Sequence, residues 1–192
     1  MNKTIVLFML TSILSFFGCE KKVETKIVKP IFTEETINKT IDNELLEKVW
    51  SNISSKLSKD PEKEYESLLK LSKSEQAIYI IWNLEAEINN GGFNQYYFNS
   101  SGQFADLTPD ALKLIKANKF SELVSRANNI YKKEHRKITK HQDGTIEGFS
   151  KSYDDNPLNE LDNEFYDLYK TEKLGDLQIE YIRQNKNEFI DK

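Results

Sequence analysis

The chain has a single cysteine, Cys19, so no disulfide can form within it. It also lacks a phosphate-binding glycine loop, a dinucleotide fingerprint and a nucleophile elbow, which removes the chemistries those motifs carry. Histidine occurs twice, at His135 and His141. A spacing of six does not place two imidazoles on one helical face, so no metal site is expected. Runs of β-branched residues with a period of two are absent, and no segment repeats another. Glycine is sparse, and three of the seven fall within residues 89–102. What remains points to no cofactor and names no catalytic set.

The start of the chain is informative. Met1 to Gly18 has the form of an export signal, with Lys3 as its positive start. Its apolar run, Ile5 to Leu14, is interrupted only by Thr11 and Ser12 and is too short to span a bilayer as a mature helix. Phe16-Phe17-Gly18-Cys19 resembles a bacterial lipobox, which makes Cys19 the expected lipidation site. The expected address is a bacterial membrane, facing the periplasm or the cell surface. Residues 19–39 are rich in Lys, Glu and Thr, contain Pro30 and read as a flexible tether. Within the tether, the isolated Ile31-Phe32 pair is a candidate to dock on the domain.

Residues 40–192 read as helix. The expected fold class is all-α, a single domain of roughly six to eight helices. Ile41, Leu45, Val49, Ile53 and Leu57 form a stripe at four-residue spacing. Asp60-Pro61 and Thr108-Pro109-Asp110 each pair an N-cap residue with proline in the first turn. Ser72 and Glu75 fit a capping box ahead of a helix over 75–89, whose apolar residues include Ala77, Ile78, Ile81, Trp82, Leu84 and Ile88. Residues 135–157 carry the turn signals Asp143-Gly144, Gly148 and Asn156-Pro157 and are expected to be irregular. Two helices, over 158–173 and 176–190, close the domain.

The helix over 75–89 runs into N-N-G-G-F-N-Q-Y-Y-F-N-S-S-G, residues 89–102. Asn90-Gly91-Gly92 suits a left-handed helix closure, after which Phe93, Tyr96 and Tyr97 can fold back on Ile81, Trp82 and Ile88. Five carboxamides, Asn89, Asn90, Asn94, Gln95 and Asn99, interleave with these aromatics. That pattern fits a sugar- or peptide-binding cleft and equally a tight interhelical turn. Glu85 shares a face with Trp82 and Ile88, in reach of the amides of Gly91 to Phe93 or those of Asn94 and Gln95. The candidate binding set is therefore Glu85, Asn89, Asn90, Gly91, Gly92, Asn94, Gln95 and Asn99.

With Glu85 ahead of it, and followed by Ala111-Leu112 and Ile115-x-Ala117, this motif resembles the signature of a bacterial domain family named after a DNA-mimic protein. Leu161-Asp162, Phe165-Tyr166, Tyr181-Ile182 and Phe189 fit the family's ending, so the resemblance runs from about 45 to 189. It implies an all-helical domain. DNA mimicry belongs to particular members and rests on surface carboxylates outside the motif. Lys116 departs from the family pattern, which has glycine between the isoleucine and the alanine, and this bears on helix packing there.

Charge is uneven. Residues 19–142 hold 20 Lys or Arg against 18 Asp or Glu, whereas residues 143–192 hold 6 against 13. The acidic end reads as a surface for a basic partner, or the basic run from Lys113 to Lys140 as a contact to anionic lipid, unless the two ends fold against each other or simply lie in water. The expected function is a membrane-anchored, non-catalytic protein-binding domain. No nucleic-acid partner is expected of an exported protein. Two alternatives stay open: a periplasmic immunity-type protein that neutralises a toxin, and an envelope enzyme working through Glu85.

Overall fold

Thr33 starts the first helix. Its hydroxyl accepts the amide of Thr36 at 3.2 Å while the Thr36 hydroxyl accepts the amide of Thr33, a capping box around α1 (Glu34–Lys39). The computed structural model describes residues 31–191, so the expected signal over 1–18, Cys19 and the tether up to Pro30 lie outside the described residues. Within them, the tether reading fails from Phe32 to Lys39. Ile37 is fully buried and Phe32 is 9% exposed. The Phe32 amide donates to Asp191 at 2.7 Å and its carbonyl accepts the Asp191 amide at 2.8 Å. The helical domain thus starts at Phe32 rather than at Thr40, while Ile31 stays exposed.

α2 (Asp42–Ser54) buries Leu45, Val49 and Ile53, whereas Ile41, at its cap, is exposed. Asp60 caps a 3-10 turn, Pro61–Lys63, that leads into the short α3 (Glu64–Leu68). α4 (Lys73–Phe98) follows, and the Ser72–Glu75 capping box forms as its sequence implies. Ala77, Ile78, Tyr79, Ile80, Ile81, Leu84 and Ile88 are all buried, so α4 is apolar around most of its girth, as a central helix must be. It packs against α2 and against α5 (Thr108–Leu114), α6 (Asn118–Ile138) and α8 (Asn159–Leu168).

α5 and α6 are joined through Lys116, which has φ 66°. The Ala117 amide returns to the Leu112 carbonyl and the Lys116 amide to that of Lys113, both at 2.9 Å, which is a Schellman closure. Such a closure favours glycine at the left-handed residue, which is the residue the resemblance leads one to expect where Lys116 stands.

The segment expected to be irregular is shorter than 135–157. α6 continues to Ile138 because Tyr131 stacks on Tyr97 at 4.1 Å and Ile138 is buried, with only a bend at Glu134. α7 (Ile146–Lys151) is then capped by Thr145. α8 and α9 (Leu174–Gln184) complete the domain. Among the described residues the fold is all-α: nine helices, three of them of six residues or fewer, and no strand. None of these helices is long and apolar enough to cross a membrane.

Candidate functional site

α4 breaks within the motif. Gly91 is extended, with φ −162°, and Gly92 has φ 70° and ψ −173°, a region open essentially to glycine alone. A break of this kind strands carbonyls on the first half of the helix and amides on the second. Three side chains from near α8 take them up. The Tyr166 hydroxyl donates to the Ile88 carbonyl at 2.8 Å, and that of Tyr153 donates to the Gly91 carbonyl at 2.9 Å. Asp162 accepts the Phe93 amide at 2.7 Å, serving as an N-cap from a distant helix. Its carboxylate lies where a side chain on Gly92 would have to go. Burial raises the Asp162 carboxyl above its ordinary value, with the Phe93 amide opposing. Beyond the break, Phe93 is fully buried and meets Phe165 edge-on at 5.9 Å; Phe165 in turn packs on Phe120 at 5.0 Å.

The carboxamides are engaged internally. Asn94 is 0% exposed; its amide nitrogen donates to Ser152 at 2.7 Å and its oxygen accepts from Asn156 at 3.0 Å. Gln95 accepts from Asn90 at 2.9 Å and donates to Glu87 at 2.8 Å. Asn99 and Ser101 donate to the same Glu87 at 2.7 and 3.1 Å. Glu87, then, rather than Glu85, is the carboxylate that ties the junction amides together. It faces them because it lies two residues on, about 200° round the helix from Glu85. Of the candidate set, Glu85 and Asn89 line a cavity among the described residues.

That cavity is a cleft of about 310 Å³ between α4, α2 and the start of α9, lined by Leu46, Trp82, Glu85, Ala86, Asn89 and Gly175. Glu85 is half-buried at the edge of this cleft. The Tyr169 hydroxyl donates to one carboxylate oxygen at 2.6 Å and the Gln178 amide to the other at 2.7 Å. Burial raises this carboxyl above its ordinary value, and the two donors oppose the rise.

Acidic residues of the last third also work inside the fold. Glu172 accepts the amides of Lys119 and Phe120 at 3.1 and 3.2 Å and so caps α6. Glu164 pairs with Arg126. Asp191 and Glu75 both pair with Lys56, at 2.8 and 3.0 Å. These roles answer part of the charge asymmetry: the acidic end does fold against the rest. Asp162 and Glu172 carry no local signal of their roles, since their partners lie 69 and 52 residues away. Asp154, Asp155 and Glu160 are exposed and make no ion pair among the described residues, where no cluster of three or more His, Cys, Asp or Glu is arranged to hold a metal.

The fold and the junction define an all-helical domain built on a bent central helix, its bend sealed by tyrosine and carboxylate side chains from the α7–α8 side. Residues 69–185 match the model of a family described as DMP19-like protein, and the chain belongs to that family. The matched span takes in α4 to α9 and leaves α1 to α3 outside it. Searches of curated proteins and of solved structures each give no significant match.

Proposed function

We propose that this is a protein-binding domain carried on a bacterial lipoprotein, and that its exposed C-terminal carboxylates meet a basic partner protein. The observation that carries the proposal is the division among the acidic residues of the last third. Asp162, Glu164, Glu172 and Asp191 serve the fold, whereas Asp154, Asp155 and Glu160 are exposed and make no ion pair among the described residues. Asp167 pairs only with Lys170 in its own turn, and Asp176 only with Lys173. Exposed carboxylates without local partners steer association with a basic surface. The lipobox at Cys19 supports attachment at an envelope membrane.

The test is Asp154→Asn/Asp155→Asn/Glu160→Gln, compared with wild type by cross-linking in intact cells. The triple variant is expected to melt within a few degrees of wild type, because exposed substitutions of this kind change stability by about 0.5 kcal/mol or less. It should lose cross-links to basic partners that wild type retains. An unchanged set of partners at unchanged yield would overturn the proposal. A toxin among the partners lost would sharpen the reading to the immunity type.

A further inference from the structure

The Glu85 cleft is independent of the acidic C-terminal surface and of the sealed bend. It has four features. Its lining includes a carboxylate with no lysine, arginine or histidine in ion-pair range among the described residues. That carboxylate is fixed in place by Tyr169 and Gln178, so it is pre-oriented rather than free to swing. One wall is the indole of Trp82, itself backed by Trp50 at 5.5 Å. Of the remaining lining, Leu46, Ala86 and Gly175 are apolar or lack a side chain, and Asn89 adds one exposed carboxamide.

A second polar group, bonded to Glu85 behind the cleft lining, is unsatisfied. Gln178 is 0% exposed, and its carbonyl oxygen has no hydrogen-bond partner although its amide is bonded to Glu85. A buried acceptor left unpaired costs free energy, and a buried carboxylate without a counter-cation costs more. Both deficits are of one sign: the cluster has acceptor capacity and lacks a cationic donor.

We propose that this cleft binds a primary alkylammonium group, with the ammonium on Glu85, its positive charge against the face of Trp82, and its alkyl chain along Leu46 and Ala86. A primary ammonium has three N–H donors and no acceptor, which matches the deficit. Its attraction to an aromatic face adds to the carboxylate pairing. The raised carboxyl of Glu85 has the same origin, a negative charge that burial penalises and no neighbour neutralises. The ammonium could be that of a free amine or of a lysyl side chain.

The two tryptophans of the chain each give one indole N–H resonance, so binding can be read by NMR on the full chain. n-Butylammonium chloride is titrated at constant ionic strength, with n-butanol as its neutral counterpart. The Trp82 resonance is expected to shift saturably with the amine, and with an apparent affinity about tenfold or more above that of the alcohol, the size of one charge-assisted contact. Glu85→Gln should abolish that preference. Ala86→Phe, at an exposed position on the rim, should block the cleft, and it decides the matter if Glu85→Gln fails to fold. Equal affinity for amine and alcohol would overturn the proposal, as would an amine titration unchanged by either folded variant. With butylammonium bound, Nα-acetyl-lysine amide separates the sources: binding of both indicates a lysyl side chain, and binding of the amine alone indicates a free amine.

Discussion

Asp162, on α8, accepts the amide hydrogen of Phe93 at 2.7 Å, across 69 residues of chain. That bond explains why the two adjacent glycines of the motif are not equivalent. Gly92 combines a glycine-only backbone with a carboxylate lying against it, whereas Gly91 is merely extended and has the movable ends of Gln95 and Tyr153 nearby.

Gly92→Ala is therefore expected to cost about 1–3 kcal/mol from backbone strain, plus displacement of Asp162. Gly91→Ala should cost about 1 kcal/mol, the scale of one disturbed hydrogen bond. Urea denaturation of both variants checks the order, and a larger loss at Gly91 would contradict it. Because Gly92 and Asp162 act together, the double variant Gly92→Ala/Asp162→Ala should lose less than the two single losses added.

Asn94→Ala removes a buried carboxamide held between Ser152 and Asn156 and should cost about 1–3 kcal/mol. Gln95→Ala is expected to cost less than about 1 kcal/mol, since Gln95 is half-buried and water can reach Glu87 in its place. Thermal melts with matched protein concentrations separate the two.

Lys116→Gly should stabilise the domain by about 0.5–1 kcal/mol by relieving a left-handed residue in an otherwise complete Schellman closure. Lys116 is exposed, so little else changes. A loss of stability in the same melts would mean that the lysine side chain contributes something its backbone conformation does not reveal.

The Glu85 carboxyl is held above its ordinary 4.5, chiefly by burial. The folded chain then keeps this proton more tightly than the unfolded one, so its contribution to stability falls as pH rises from the unfolded value through the folded one. Glu85→Gln removes the titration. The stability of wild type minus that of the variant is expected to be greatest below about pH 4.5 and to shrink as pH climbs towards neutral. Denaturant midpoints across that range measure it, and a difference that grows with pH would refute the assignment.

Cys19→Ala should release the protein from the membrane fraction, because lipid attachment there would be its hold on the bilayer. Fractionation with an unrelated lipoprotein as marker tests this, and a variant that still pellets with membranes excludes lipid anchoring at Cys19.

Much of the fold was legible wherever the signal is local. The Ser72–Glu75 box, the stripe Leu45–Val49–Ile53 and the break at Gly91-Gly92 each follow from spacing within a few residues. The misreadings have a common cause in contacts distant along the chain. Phe32 is drawn out of the supposed tether by Asp191, 159 residues on. α6 outlasts its apparent end because Tyr131 stacks on Tyr97. Glu85 and Glu87 are two residues apart, and the sequence does not say which of them faces the amides; Tyr169 and Gln178 claim the first, leaving the second to Gln95 and Asn99.

The bonds that seal the bend in α4 have a bearing on the order in which the molecule folds. They come from Tyr153, Asp162 and Tyr166 and join positions 62, 69 and 78 residues apart. Helix formation is fast and local, whereas pairing across such separations must first close a long loop. A chain synthesised from its N-terminus therefore holds all of α4, its halves bridged only by the short-range bonds of Glu87 to Gln95 and Asn99, before the three side chains that seal the bend exist. Until the last third docks, the bend at Gly91-Gly92 rests on those short-range bonds, and a chain cut before Tyr153 would lack all three of the side chains that take up its stranded carbonyls and amide.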